Sequence, residues 1–140
     1  MSAPADAIPT DRSRLALGQQ TPDQVLASIV EGINTGNLDA LLSLYEPDAA
    51  FAAQPGILAR GLPGVRESLA GFIAMNGTLD LKVTRVLEAG GLALVAGVWS
   101  FEGTGPDGNP VTLSGHNADV LRCQPDGSWR FVIDNPWGTD

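Results

Sequence analysis

Four strand-like segments follow one another in the second half of the chain, and this run is the feature that most restricts the fold. They have alternating or continuously apolar patterns, and turn sequences rich in Gly, Pro, Asp and Asn separate them: 78–88, 92–102, 111–123 and 128–135. Before them come three segments with helical spacing of apolar residues and one short strand, 49–53. This order predicts an α+β domain with an antiparallel sheet. The sheet must curl around the helices to bury its inner face, which leaves a cone-shaped cavity.

Capping signals mark where the helices start. Thr21 is followed by Pro and, three residues on, by Gln, which is the pattern of a capping box before a first helix. Asn37 is expected to cap a second helix that carries Tyr45 on its apolar face and stops at Pro47. A third helix is expected to open at Gly61.

Size and charge limit the class of protein. The 140 residues fit one domain, and residues 1–20 are expected to be a disordered or peripheral tail before a domain at 21–140. The net charge of −8 argues against nucleic-acid and membrane partners, because phosphate groups would be repelled. One Cys and one His argue against a disulfide or a His-rich or multi-Cys metal site, and we expect no cofactor. Without a signal peptide or a membrane-length apolar stretch, the sequence predicts a cytoplasmic protein.

Two aspartates lie within otherwise apolar strands near the end of the chain. A carboxylate in a half-buried strand is costly unless something pairs with it. Asp119 and Asp134 are similarly distant from the turn at Asp126-Gly127, so we expect them opposite one another, within about 5.5 Å, facing one cavity. Charges that close predict either that at least one carboxyl has a raised pKa or that Arg130 bridges them. Structural roles stay open: Asp119 as an ion-pair partner of Arg130, and Asp134 as a strand end bound to a backbone amide.

Three stretches of sequence carry a resemblance to a known family: Asn34-Thr35-Gly36-Asn37-Leu38-Asp39 with Leu44-Tyr45-Glu46-Pro47-Asp48-Ala49, Gly61-Leu62-Pro63-Gly64-Val65-Arg66-Glu67, and Asp119-Val120-Leu121-Arg122 with Asp126-Gly127-Ser128-Trp129-Arg130. Over about residues 21–137 the chain resembles the nuclear transport factor 2-like superfamily, specifically its SnoaL-like, ketosteroid-isomerase-like branch. The resemblance implies a cystatin-like cone in which a curved antiparallel sheet wraps around three N-terminal helices. It does not settle the chemistry, because that superfamily includes enzymes of several kinds and non-catalytic domains.

The catalytic positions of the superfamily are only partly present. Ketosteroid isomerases place a base Asp before a Pro in the first strand, where this chain has Gln54, and an oxyanion Tyr at about the position of Ile29. Their oxyanion Asp falls on Asp119, which implies a protonated, hydrogen-bond-donating carboxyl. The Arg–Asp pair that limonene epoxide hydrolase carries on its middle strand is absent, and the last-strand Asp of that enzyme falls on Asp134.

Alternation of side chains gives the last strand two faces. The resemblance places Arg130, Val132 and Asp134 inside the cone. The same alternation leaves three large apolar residues on the outer face: Trp129, Phe131 and Ile133. Because so much exposed apolar surface is unusual on a monomer, we expect a homodimer through the convex face of the sheet.

Two functions are compatible with the sequence. In the first, the cone binds a small apolar molecule with one or two polar groups. Acid–base isomerase, hydrolase or dehydratase chemistry would then use Asp134 as base and Asp119 as acid or oxyanion donor. The expected substrate-binding residues are Tyr45, Phe51, Gln54, Phe72, Trp99 and Asn117, although residues such as Tyr45 and Trp99 are more often part of a core. In the second, the chain is a non-catalytic dimerisation or ligand-binding module with a vestigial pocket. Carboxyls with raised pKa values favour the first function, and an Arg ion pair favours the second.

Overall fold

The computed structural model describes residues 20–139, and within them a curved six-stranded sheet packs against helices. The expected α+β class is therefore confirmed. The described helices are α1 (Pro22–Thr35), α2 (Leu38–Leu42) and α3 (Gly61–Ala74). Of the three helices expected at the N-terminal side of the sheet, only α1 and α2 precede the first strand. The third, α3, follows β1 and β2. The tail expected at residues 1–20 lies outside the described residues, apart from Gln20.

One sheet contains all the strands of the described region: β1 (Tyr45–Gln54), β2 (Ile57–Arg60), β3 (Thr78–Ala89), β4 (Leu92–Thr104), β5 (Pro110–Cys123) and β6 (Trp129–Asp134). Their spatial order is β2-β1-β6-β5-β4-β3. The strands β3 to β6 pair antiparallel, as predicted, whereas β1 runs parallel to β6. The sequence did not predict β2, which pairs back on β1 after a turn at Gly56, where φ is 76°.

Local signals start the first two helices, as expected from the sequence. The backbone N–H of Thr21 donates to Gln24 Oε1 at 2.9 Å, which is one arm of the expected capping box. The backbone N–H of Ala40 donates to Asn37 Oδ1 at 3.2 Å. Each of these bonds therefore satisfies a backbone N–H that the helix itself leaves unpaired.

The second helix is shorter than predicted. It ends at Leu42, and Tyr45 is the first residue of β1 rather than part of a helix that runs to Pro47. The reason is pairing with the last strand, since the backbone N–H of Phe131 donates to the Leu44 carbonyl at 2.8 Å. A strand partner distant in sequence thus overrides the helical spacing of the apolar residues.

A β-bulge interrupts the alternation of β6. Leu121 of β5 lies opposite Phe131, but its neighbour Val120 lies opposite Ile133, so Val132 is an extra residue on β6. An extra residue in one strand reverses the facing of all side chains that follow it. Phe131 therefore points inward with Leu121, and Ile133 points outward with Val120.

The expected outer stripe on β6 is consequently wrong. Phe131 is fully buried and its ring stacks on that of Tyr45 with centroids 4.9 Å apart. Trp129 is half-buried against the core, and of the three residues only Ile133 is exposed, at 39%. Asp134 is inside the cone, as predicted, because the bulge lies before it.

The core fills the space between the helices and the inner face of the sheet. Its largest fully buried side chains include Val25, Leu41, Val65, Leu69, Val95, Phe101, Leu121 and Phe131. Three of the aromatic rings form a chain across the cone, since Phe72 is 6.5 Å from Phe51 and 5.5 Å from Phe101 between centroids. No helix within residues 20–139 has the length and apolarity that crossing a membrane would need.

Candidate functional site

A cavity lies inside the cone, between α1, α3 and the inner face of the sheet. Its free space is about 60 Å³, within a depression of about 540 Å³ that includes open solvent. Three lining residues are polar, namely Asn117, Asp119 and Asp134. The others are apolar: Leu26, Ile29, Ile33, Phe51, Leu69, Phe72, Leu79, Leu81, Trp99, Phe101, Phe131 and Pro136. The cavity is thus a hydrocarbon-lined space with polar groups grouped on two strands.

Asp119 and Asp134 meet in this cavity from the adjacent strands β5 and β6. They are almost fully buried, at 1% and 8% exposure. Asp119 Oδ1 accepts the backbone N–H of Asn135 at 2.7 Å, and its Oδ2 accepts Asn117 Nδ2 at 2.8 Å. Asp134 Oδ2 accepts the hydroxyl of Tyr45 at 2.5 Å. The two aspartates are therefore held in place by donors from β5, β1 and the residue after β6.

Burial controls the protonation of the pair. Desolvation first, and then the charge of Asp134, raise the pKa of Asp119 well above its usual value, against the opposing bonds from Asn117 and Asn135. Desolvation also raises the pKa of Asp134, but hydrogen bonds from Tyr45 and from Asp119 oppose that rise. Because their mutual hydrogen bond raises the pKa of Asp119 and lowers that of Asp134, Asp119 is the carboxyl that keeps the proton. Burial and the charge of Asp134 raise the pKa of Tyr45 as well, so Tyr45 stays a donor.

No cation neutralises the pair in the described part of the chain. The ion pairs of residues 20–139 join Arg66 to Asp39 and Arg122 to Glu46, and neither includes Arg130. Of the two alternatives drawn from the sequence, the structure therefore has the raised pKa and not the Arg130 bridge. Nor do three His, Cys, Asp or Glu side chains come together as a metal site anywhere in residues 20–139.

The segment after β6 covers one side of the cavity. Trp99 Nε1 donates to the carbonyl of Pro136 at 2.6 Å, and the rings of Trp99 and Trp137 are in edge contact with centroids 5.4 Å apart. Trp137 Nε1 in turn donates to the Ala52 carbonyl at 3.0 Å. No role for this segment was predicted from the sequence, although a Trp near the end of a domain is a signal that the segment packs against the rest of the protein.

Most of the expected lining residues come together. Phe51, Phe72, Trp99 and Asn117 line the cavity with the two aspartates. Tyr45 does not line it but is buried beside Asp134, to which it donates. The catalytic roles predicted for Asp119 and Asp134 stay predictions.

Gln54 is a correction, because it is exposed and does not line the cavity. It ends β1 and pairs with Ile57 at the turn into β2, which carries it beyond the cone. Further lining residues were not predicted as such from the sequence: Leu26, Ile29 and Ile33 on α1, and Leu79 and Leu81 on β3.

Comparison with known proteins agrees with this architecture. The family model described as a SnoaL-like domain matches residues 26–132. No protein of curated function matches the sequence significantly.

Among solved structures, a nuclear transport factor 2-like superfamily protein from Salmonella enterica is similar with a TM-score of 0.72 at 18% identity, covering 94% of each chain. A ketosteroid isomerase-like protein from Erwinia carotovora has a TM-score of 0.70 at 15% identity, covering 80% of this chain and 88% of that one. A candidate scytalone dehydratase from Novosphingobium aromaticivorans has a TM-score of 0.71 at 15% identity, covering 90% of this chain and 85% of that one. Identities this low establish the fold alone. Because the family model matches residues 26–132, most of the chain, the chain belongs to the family of SnoaL-like domains and has the nuclear transport factor 2-like fold.

Proposed function

We propose that the cavity binds a small, uncharged, mostly apolar molecule whose polar group engages Asp119 and Asp134. The observation that carries this proposal is the burial of two carboxyls side by side, with no cation of residues 20–139 bridging them. Burying two carboxyls for a purely structural role lowers the stability of the fold. Titratable groups with strongly shifted pKa values in a cavity are common at functional sites. The apolar lining favours a hydrocarbon ligand, and the charge of Asp134 disfavours an anionic one.

The reaction that suits this pair is proton transfer between carbon and oxygen. The ionised Asp134 would remove a proton from the carbon beside a carbonyl, and the protonated Asp119 would donate to an oxygen of the same molecule. In a dehydration, the C–H bond breaks to Asp134, the electron pair forms a C=C bond, and the leaving hydroxyl takes the proton of Asp119 to depart as water. Isomerisation and epoxide hydrolysis could use the same two groups. Two proteins of similar fold are described as candidate dehydratases, which supports dehydration among these reactions.

Binding can be tested with a panel of small neutral carbonyl and hydroxy compounds, screened by thermal stabilisation of the protein. A ligand at 100 times its Kd should stabilise the fold by about 2.7 kcal/mol. Asp119→Asn and Asp134→Asn should keep the fold, because the amide is isosteric, and should abolish binding or turnover. The matched control is Asp80→Asn, which removes an exposed carboxyl from β3. Hits that bind both site variants as tightly as the wild type would refute the proposal.

A non-catalytic role is the alternative, and one observation favours it. Both oxygens of Asp119 already accept bonds from within the chain, which ties the residue after β6 to the middle of β5. Under this alternative, Asp119→Asn would lower the stability of the protein while no compound of the panel bound the wild type.

We also propose that the protein is a homodimer through the convex face of the sheet, with a corrected set of contacts. Four apolar residues that lie opposite one another on neighbouring strands form a row across β3 to β6 on that face: Leu87, Leu94, Val120 and Ile133. Leu87, Leu94 and Ile133 are 55%, 44% and 39% exposed. A stable dimer would bury about 800 Å² per partner there. Leu94→Glu should convert the dimer into a monomer in sedimentation, whereas a wild-type monomer at micromolar concentration would refute the dimer. The expectation of a cytoplasmic location stays a prediction.

A further inference from the structure

The side chain of Asn117 has one half of its amide unsatisfied inside the cavity. It is 4% exposed, and its Nδ2 donates to Asp119 Oδ2 at 2.8 Å. Its Oδ1 is buried, and no group of residues 20–139 donates to it; no other buried side-chain nitrogen or oxygen in that range is in this position. Buried polar atoms are nearly always hydrogen-bonded, so this oxygen calls for a donor from outside residues 20–139.

The hydrogen bonds around the aspartates fix which end of the amide is free. Asn117 Nδ2 donates to Asp119 Oδ2 at 2.8 Å, and Asp119 Oδ1 accepts the backbone N–H of Asn135 at 2.7 Å. Asp119 Oδ2 is then an acceptor, which only the NH₂ end of Asn117 can satisfy. The carbonyl end of the amide consequently points away from Asp119. A donor on Asn117 Oδ1 would extend the hydrogen-bond network of Asn117 and Asp119 by one member.

The neighbouring strand leaves space for this oxygen. Gly97 on β4 is the register partner of Asn117. A Cβ at Gly97 would lie 2.8 Å from Asn117 Oδ1 and 2.6 Å from the carbonyl oxygen of Lys82, both too close for any real side chain. The indole N–H of Trp99, the other nearby polar group of the lining, is already bonded to the Pro136 carbonyl. The polar end of the cavity therefore includes a buried acceptor without a partner among residues 20–139.

We infer that Asn117 Oδ1 accepts a hydrogen bond from an O–H group of the ligand, so that the cavity selects a neutral alcohol, enol or phenol over an equally shaped molecule without a donor. This inference rests on the proposed small-molecule site and adds the polarity of the group that the site recognises. Sites that bond a hydroxyl discriminate strongly against analogues that lack it, because the buried partner is then left unpaired. Asn117 is on this account a specificity-determining residue for binding.

Two pairs of probes of matched shape test the inference: phenol with toluene, and cyclohexanol with methylcyclohexane. Their Kd values are measured by calorimetry for the wild type and for Asn117→Leu, which keeps the size of the side chain and removes the acceptor. We expect the variant to weaken the hydroxyl compounds about tenfold relative to their hydrocarbon partners. Thr112→Leu, an exposed change on the same strand, should leave both ratios unchanged.

The outcomes separate this inference from the function beneath it. If neither member of either pair binds the wild type, the proposed cavity function fails and the inference fails with it. If both members bind and Asn117→Leu leaves their ratios unchanged, the inference alone is overturned. Should Asn117→Leu not fold, a crystal structure of the phenol complex decides: the phenol oxygen within about 3.2 Å of Asn117 Oδ1 supports the inference, and an oxygen directed elsewhere refutes it.

Discussion

The buried carboxyl pair should make the stability of the protein fall as the pH rises. In the unfolded chain Asp119 loses its proton near the ordinary Asp pKa of 3.8, whereas in the folded chain its pKa is raised. Above pH 3.8 the folded state therefore holds a proton that the unfolded state has lost. Stability from this group is fully present below the unfolded pKa and is lost as the pH rises through the folded pKa. Asp134, whose pKa is also raised, acts in the same direction.

The size of the effect follows from the number of protons. One extra bound proton changes the free energy of unfolding by about 1.4 kcal/mol per pH unit across the window that opens at the unfolded pKa. Other carboxyls titrate too, so the useful quantity is the difference between the wild type and Asp119→Asn. That variant carries no titrating group at residue 119, and its stability should fall less steeply with pH.

Urea unfolding at half-unit steps from pH 4 to pH 8 measures this difference. Asp80→Asn, which removes an exposed carboxyl of β3, serves as the control. If the wild type and Asp119→Asn lose stability equally over the whole range, the carboxyl at Asp119 does not hold its proton on folding. The reasoning from burial would then be refuted.

Three further predictions follow from the packing. Phe131→Ala should lower the free energy of unfolding in urea by about 3–5 kcal/mol, because Phe131 is fully buried. Ile133→Ala should lower it by about 1 kcal/mol or less, because Ile133 is 39% exposed. Equal losses would contradict the bulge at Val132. Trp137→Phe removes the bond to the Ala52 carbonyl, at a cost of about 1 kcal/mol. It should also speed hydrogen exchange of the Ala118 amide, which donates to the Asn135 carbonyl. Unchanged exchange would show that the Ala118–Asn135 bond does not depend on the contact between Trp137 and Ala52. Gln54→Ala should leave the affinity for any cavity ligand unchanged in calorimetry, since Gln54 lies outside the lining, and a loss of affinity would return it to the site.

Much of the architecture follows from local sequence signals. Capping residues such as Thr21 and Asn37 mark helix starts because their partners are three residues away. These are interactions between residues close together in the chain. The meeting of Asp119 and Asp134 also needs the bulge, because the register beside the turn would place Ala118 opposite Asp134. The extra residue Val132 shifts that register by one, so that Asp119 and Asp134 lie opposite each other.

The predictions from sequence that were wrong share a different cause. The extra residue Val132 reverses the facing of β6, and nothing in the local pattern announces it, because Phe131 and Ile133 are both apolar and suit either face. Tyr45 looked helical by spacing but pairs with β6, which is far away in sequence. The bond from Trp137 to Ala52 likewise joins residues 85 positions apart. Contacts of this kind depend on the assembled sheet, so a pattern within one segment cannot predict them.

The central claim is that Asp119 and Asp134 form a buried pair that shares a proton and meets the ligand. The carboxyl ¹³C resonances of aspartate, followed through a pH titration with and without a bound molecule from the panel, test it most directly. We predict that both residues titrate above the ordinary value, Asp119 at the higher pH, and that both resonances move on binding while that of the exposed Asp80 does not. Ordinary titration of both carboxyls, with no response to a bound ligand, would contradict the account.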